Sequence, residues 1–197
     1  ITASAGTSNV RIGVNAGNSI ESGGNYNVVV GDEAGTAITT GDFNVALGYV
    51  ALDANTTASE NIAIGGFALG ANILGSKSTA VGSGALAVQN YATATDGLNV
   101  AVGYASGTAV TTGVQNTLIG GLAGDAITTG YYNTALGKDA LGTNTLSSLN
   151  VAIGHSALKT MSAGDAETHN VAVGASAGLS VTTSTQNTLI GGLAGAN

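Results

Sequence analysis

Residues 44–65 read NVALGYVALDANTTASENIAIG and hold two copies of one phrase, Asn-x-x-x-Gly, 17 residues apart. With one Ser in place of the Asn, copies of this phrase start at eleven points along the 197-residue chain, and seven of the ten intervals are 17 residues. An Ala follows the Gly after three residues in every copy but one. Self-similarity at a short fixed period indicates a repeat architecture, in which each unit buries its apolar side against its neighbours.

The spacing also shows a longer period. The intervals run 18, 17, 17, 17, 21, 17, 17, 17, 20 and 17 residues, so a long one returns with every fourth repeat, and we expect the extra residues to form outward bulges before Asn99 and Asn170. Because the chain lacks an initiator Met and a polar capping repeat, we expect it to be a segment of a longer array. We interpret 1–197 as a single array made of a partial repeat, two super-repeats and an incomplete one: 1–26, 27–98, 99–169 and 170–197.

Each repeat reads as short strands and turns. The Asn is followed by a bulky, a small and a bulky residue, as in Val45, Ala46 and Leu47, and this alternation predicts a strand. We expect the first and third side chains to point into a core and the middle one to point outward. A second apolar and Thr-rich run, such as AITTG at Ala37, predicts a second strand across a thin core. The predicted fold is all-β, a parallel β-roll or β-solenoid of about eleven 17-residue coils.

Stacking such coils brings the repeated Asn and Gly residues into columns. Side-chain amides of stacked Asn residues hydrogen-bond between neighbouring coils, and Gly permits positive φ at a turn. The predicted ladder consists of Asn27, Asn44, Asn61, Asn99, Asn116, Asn133, Asn150, Asn170 and Asn187. The predicted turn residues are Gly31, Gly48, Gly65, Gly82, Gly103, Gly120, Gly137, Gly154, Gly174 and Gly191.

The middle strand residue predicts where copies of the chain meet. If it points outward, it forms a strip of small side chains about 50 Å long and 10 Å wide, near the upper end of the apolar area that monomers expose. Identical rods that share a long axis close most simply by cyclic symmetry, and only Arg11 departs from the strip. The predicted subunit interface is Ala46, Ala63, Ala80, Ala101, Leu118, Ala135, Ala152, Ala172 and Leu189.

The composition excludes several classes of protein. Only 8% of residues are charged, and four Lys or Arg against a net charge of −7 give no electrostatic footprint for nucleic acid. Apolar runs are two to four residues long, far short of the roughly 20 that cross a bilayer, so this segment holds no membrane span. The absence of Cys removes disulfides and thiolate metal sites.

Catalytic or metal-binding groups find little support in the sequence. His155 and His169 lie near Asp165 and Glu167, but His155 occupies a position that varies between repeats, and the other three fit a solvated loop. No Ser, His and Asp residues form the pattern of a catalytic triad. GGLAG at Gly120 is not followed by the Lys of a phosphate-binding loop. We therefore expect a non-enzyme without metal or cofactor.

Outer side chains leave two binding hypotheses open. Tyrosines that vary between repeats either contact a cell-surface glycan or protein receptor, or cover turns and seal a subunit seam; they are Tyr49, Tyr91, Tyr104, Tyr131 and Tyr132. An ice-binding solenoid is the alternative from another class, prompted by Thr pairs that begin at Thr39, Thr56, Thr111, Thr128 and Thr182. Ice binding requires a regular array, and half of the repeats lack or alter the pair.

Four phrases, NVAIGHSAL, NTALGKDAL, NIAIGGFAL and NVAVGYASG, carry a family resemblance. They resemble the repeats of trimeric autotransporter adhesin heads, the YadA-like left-handed parallel β-roll. The chain is still more similar, over nearly its whole length, to the 17-residue repeats of phage tail fibres and related surface proteins. The resemblance implies a left-handed, homotrimeric fibre shaft or adhesive head, extracellular, on a virion tail fibre or a bacterial cell surface.

Overall fold

A computed structural model describes residues 6–196; residues 1–5 and 197, at the ends of the predicted array, lie outside the described residues. The described part contains strands and turns only, with no helix that could cross a membrane. Eleven strands have three residues each: β1 (Val10–Ile12), β2 (Val28–Val30), β3 (Val45–Leu47), β4 (Ile62–Ile64), β6 (Thr79–Val81), β8 (Val100–Val102), β9 (Thr117–Ile119), β10 (Thr134–Leu136), β11 (Val151–Ile153), β12 (Val171–Val173) and β13 (Thr188–Ile190). Two strands have two residues, β5 (Gly75–Ser76) and β7 (Thr95–Asp96).

The three-residue strands hydrogen-bond in chain order into one parallel, eleven-stranded sheet. Each strand aligns with the same positions of the next coil, so that Ala46 lies beside Ala63 and Ala101 lies beside Leu118. Parallel neighbours joined by one coil of chain make a β-solenoid, and this topology confirms the predicted all-β fold of about eleven coils.

The middle residue of each strand points into the coil, so the predicted direction of the strand side chains is wrong. Ala46 is fully buried, whereas Leu47 beside it is 44% exposed. All nine residues predicted to face another subunit lie in the core or pack against it within their own chain. They are Ala46, Ala63, Ala80, Ala101, Leu118, Ala135, Ala152, Ala172 and Leu189. Arg11 occupies the same column in the first coil, where its Nε donates to the carbonyl oxygen of Ala16 at 2.8 Å.

The small volume enclosed by a coil explains this orientation. Ala46 shares the core with Ala51 and Leu52, which enter from the turn after the strand. Leu118 fits at the equivalent position because the facing residue is Gly124, where a Cβ would lie only 2.8 Å from Leu118 Cδ2. Interiors are close-packed, so the total volume of the facing side chains is limited.

The residue four positions after the turn Gly is Leu in some coils and Gly in others, and its φ lies between +47° and +63°. Where it is Leu86, the middle strand residue is Ala and the residue three positions later is Gln89. Where it is Gly35, the space is taken by Ile38, whose Cδ1 would lie 2.7 Å from a Cβ on that Gly. These two coils therefore fill the core with large side chains from different positions.

The turn Gly is required for two reasons. All ten predicted turn glycines have φ between +119° and +140°, a region that L side chains rarely adopt. At Gly103 a Cβ would also lie 2.6 Å from the carbonyl carbon and oxygen of Gly120 in the next coil. The stacking of turn on turn therefore leaves no room for a side chain at this position.

The Thr-rich run forms bends rather than the second strand that the sequence predicts. The backbone N–H of Thr39 donates to the carbonyl oxygen of Thr56 at 2.9 Å, and the Thr39 hydroxyl donates to the same oxygen at 3.1 Å. Thr111 repeats both bonds with Thr128. A side chain that competes for backbone acceptors favours bends over a regular ladder, so this side of the coil is held by mixed bonds.

Candidate self-association surface

The repeated Asn residues form a hydrogen-bonded column beside the sheet. The backbone N–H of Asn44 donates to Oδ1 of Asn27 at 2.9 Å, and its Nδ2 donates to the carbonyl oxygen of Ala58 at 2.9 Å. The same two bonds recur through most coils with Asn61, Asn133 and their equivalents. Each Asn therefore joins its own coil to the one before it, and the column fixes the ends of the strands.

Ser78 interrupts the column, and two side chains from its own coil fill the gap. Gln89 Nε2 donates to Ser78 Oγ at 3.1 Å, and Asn99 Nδ2 donates to Gln89 Oε1 at 2.9 Å. The Tyr91 hydroxyl donates to the carbonyl oxygen of Gly113 at 3.0 Å, and burial raises the pKa of Tyr91 to about 12. The prediction of Tyr91 as a receptor contact is wrong, because its side chain lies in this network with 6% exposure.

The first and third residues of the eleven strands form two columns on the outside of the sheet, which we name the outward face. The first column runs from Val10 to Thr188 and consists of Val, Ile and Thr. The third-position column runs from Ile12 to Ile190 and is aliphatic throughout. None of the side chains in these two columns is charged. The outward face is therefore an apolar surface that continues along every coil.

The dimensions of the outward face are those of a protein contact. Eleven strands about 4.8 Å apart make it about 50 Å long, and three residues of about 3.3 Å make it about 10 Å wide. An exposed apolar area of about 500 Å² lies near the upper limit for monomers and is typical of interaction surfaces.

Four of the five tyrosines predicted to contact a receptor lie at the surface. Tyr49 is 56%, Tyr104 68% and Tyr132 47% exposed, and all three border the outward face. Tyr131 is half-buried; its hydroxyl donates to Glu167 Oε1 at 2.9 Å, which raises the pKa of Tyr131.

The two histidines and the acidic residues near His169 lie at the surface. His155 and His169 are both exposed, and Asp165 and Glu167 lie in the bulge before Asn170. Within residues 6–196, no group of three or more His, Cys, Asp or Glu side chains could hold a metal ion.

The fold and the surface together define a β-solenoid with a fully buried Ala-rich core and an apolar outward face. A comparison with protein-family models finds no match for the chain. Searches of curated proteins and of solved structures find no match either.

Proposed function

We propose that this protein is a non-catalytic structural segment of an extracellular fibre, in which parallel copies associate through their outward faces. The observation that carries the proposal is the uncharged apolar surface along all eleven coils. Burial of apolar surface contributes about 25 cal/mol per Å². A face of about 500 Å² therefore favours association by on the order of 10 kcal/mol per copy before the entropy of association is subtracted.

A second copy of the chain is the occupant that fits this face. The face repeats from strand to strand in one parallel sheet, so an identical copy offers the same repeat along its whole length. With the exposed residues on its two edges the contact widens to about 20 Å. This gives about 1,000 Å² per copy, which exceeds the roughly 800 Å² per partner of a standard stable interface.

The resemblance to trimeric adhesin heads and phage tail-fibre repeats implies that each chain forms left-handed coils and that three copies associate. A closed trimer of parallel rods buries all three outward faces around one axis. A virion tail fibre or a bacterial cell surface is the setting that we propose for such a rod.

A shaft and an adhesive head differ in whether the outer surface binds a glycan or protein receptor. The two bulges are the main irregular features outside the sheet: the first is exposed around Thr93, and the second around Asp165. They lie four coils apart, or about 19 Å along the rod. We propose a spacer role first, with the bulges as the sites where adhesion is to be sought.

The ice-binding alternative draws less support from the geometry. In the pair at Thr39 and Thr40, the first hydroxyl donates to the carbonyl oxygen of Thr56, so only the second is free to order water. Thr56 is followed in the next two coils by Ile73 and then Asn90 at the same position, which breaks a flat array of hydroxyls.

Small-angle scattering in solution tests the proposal. We expect a rod about 50 Å long whose mass is three times 18.8 kDa. A rod of that length with the mass of one chain contradicts the proposal. If such single chains also produce thermal hysteresis in freezing assays, the ice-binding alternative replaces it.

A further inference from the structure

The outward face is bordered by two columns of residues, of which all but Leu149, Gly66 and Gly121 are exposed. The leading column holds the residue immediately before each ladder position, from Ser8 to Gln186. The trailing column holds the residue immediately after each turn Gly, from Val14 to Gly192. Every coil contributes one residue to each column, at opposite edges of the face.

The residue types in the two columns are coupled within nine of the eleven coils. Five coils combine a long polar or charged leading residue with a small trailing one: Glu60 with Gly66, Lys77 with Ser83, Gln115 with Gly121, His169 with Ala175, and Gln186 with Gly192. Four combine an apolar or aromatic leading residue with a large trailing one: Phe43 with Tyr49, Leu98 with Tyr104, Tyr132 with Lys138, and Leu149 with His155. The two coils at the N-terminal end, with Ser8 and Val14 and with Tyr26 and Asp32, do not follow this rule.

Equivalent coils of successive super-repeats show that the two columns vary together. At four pairs of equivalent coils, 71 or 72 residues apart, the leading and trailing residues both differ. The four pairs are Phe43 and Tyr49 against Gln115 and Gly121, Glu60 and Gly66 against Tyr132 and Lys138, Lys77 and Ser83 against Leu149 and His155, and Leu98 and Tyr104 against His169 and Ala175. Positions that vary together indicate contact in space.

Within one chain the two columns do not meet. The strand between them holds about 10 Å of extended backbone, and the side chains of the outward face stand in between. No aromatic contact within residues 6–196 joins the two columns: Tyr26 stacks on Phe43 at 5.0 Å, Tyr49 meets Phe67 edge-on at 5.5 Å, and Tyr131 meets Tyr132 edge-on at 5.3 Å. A contact that couples the columns would therefore lie between copies.

Three glycines of the trailing column support this conclusion. Gly66, Gly121 and Gly192 lack the positive φ of the turn glycines. The nearest atoms to a Cβ at these positions would be 3.8 to 4.0 Å away, an ordinary van der Waals distance. Tyr49 and Tyr104 occupy the same position in other coils. Nothing in the chain requires Gly here, whereas a long side chain from a neighbouring copy would.

We propose that copies of this chain associate in parallel and at the same level, with the leading column of one copy against the trailing column of the next. This inference rests on the proposed self-association and specifies its orientation and register. Rotation about an axis parallel to the rod, without translation, brings equal levels together. A shift by one coil would set Phe43 against Gly66 and Lys77 against Tyr104, and the size match would be lost.

Disulfide cross-linking tests the register, because the chain has no Cys of its own. The matched variant carries Glu60→Cys and Gly66→Cys, and the control carries Glu60→Cys and Ser83→Cys, which is one coil out of register. The particle mass of both variants is measured by light scattering in reductant, before oxidation with diamide. We expect the matched variant to migrate after oxidation as a covalent multimer in denaturing electrophoresis and the shifted control to migrate as a single chain.

Each result has a distinct meaning. Single-chain mass in reductant for both variants and for the unmodified protein overturns the proposed function and this inference together. A multimer that cross-links through the shifted pair, or through neither pair, overturns the register and leaves the proposed function in place.

A double-mutant cycle checks the same contact without cross-linking. Gly66→Tyr alone places a ring against Glu60 of the next copy, and we expect association to weaken roughly tenfold, which corresponds to about 1.4 kcal/mol. Glu60→Phe added to Gly66→Tyr recreates the combination of Phe43 and Tyr49, and we expect it to restore most of that loss. Additive effects of the two substitutions would overturn the contact, because residues that do not touch show no coupling energy.

Discussion

The backbone N–H of Asn116 donates to Oδ1 of Asn99 at 2.8 Å, and the Nδ2 of Asn116 donates to the carbonyl oxygen of Gly130 at 2.9 Å. Oδ1 of Asn116 in turn accepts the backbone N–H of Asn133 at 3.0 Å. Asn116 is fully buried, so water does not replace these partners. One residue thereby connects three successive coils.

Replacing Asn116 with Ala should destabilise the fold strongly. It leaves the carbonyl of Gly130 and the N–H of Asn133 without their partner, at about 1 to 3 kcal/mol for each buried group. We expect the unfolding free energy in urea to fall by about 3 kcal/mol. Thr112→Ala, at an exposed position in the Thr-rich bend before Asn116, serves as the control. An equal effect of both substitutions would contradict the role of the ladder.

Substitution by Ala should have a large effect at one glycine and a small effect at another in the next coil. Gly103 has a φ of +137° and faces the backbone of Gly120, whereas Gly121 has ordinary φ and open space. Strain and overlap at Gly103→Ala should cost at least about 3 kcal/mol, while Gly121→Ala should change the unfolding free energy by less than about 0.5 kcal/mol. Thermal unfolding monitored by circular dichroism distinguishes them, and similar melting temperatures would contradict the stacked-turn geometry.

Tyr91 should make stability depend on alkaline pH. Burial raises its pKa from 10.0 to about 12 in the folded protein. Between those values the folded state keeps the proton that the unfolded state has lost, so the unfolding free energy falls as pH rises above 10. Tyr91→Phe should be less stable at pH 7, because it loses the bond to Gly113, but should show a shallower decline between pH 10 and 12. Parallel declines for both proteins, measured by urea unfolding, would contradict the buried site.

Two adjacent residues of β8 should separate folding from assembly. Ala101 is fully buried, so Ala101→Glu places a carboxylate in the core at a cost of several kcal/mol. Val102 lies on the outward face, so Val102→Glu should retain the β spectrum of the folded chain. Circular dichroism at low temperature measures both, with Thr112→Glu as a control for the added charge. If Val102→Glu loses the β spectrum while Ala101→Glu keeps it, the assignment of the buried and outward faces is reversed.

The repeat length, the parallel strands and the two Asn and Gly columns could be read from the sequence, because they depend on period alone. Which strand side chains point into the core could not be read from the sequence. Val45, Ala46 and Leu47 are all apolar, so alternation identifies two faces without saying which is inside. The larger residues would bury more surface, but the thin coil already contains Leu52 or its equivalents, and only Ala46 fits beside them.

Tyr91 shows a second limit of the sequence. Its position in an irregular bulge suggested a surface residue, and the structure buries it instead. One signal was present: Ser78 lacks the amide of the ladder, and Gln89 in the same coil supplies one. A missing hydrogen-bond donor in a buried column requires a replacement nearby, and the Tyr91 phenol lies in the same network, where it accepts from Asn99 Nδ2 at 3.2 Å.

Light scattering over a range of concentrations measures the mass of the particle in solution and so shows whether copies of the chain associate. We expect three times 18.8 kDa for the unmodified chain and 18.8 kDa for Val102→Glu. A folded, unmodified chain that remains at 18.8 kDa at every concentration would contradict the claim that the outward face joins copies of this protein.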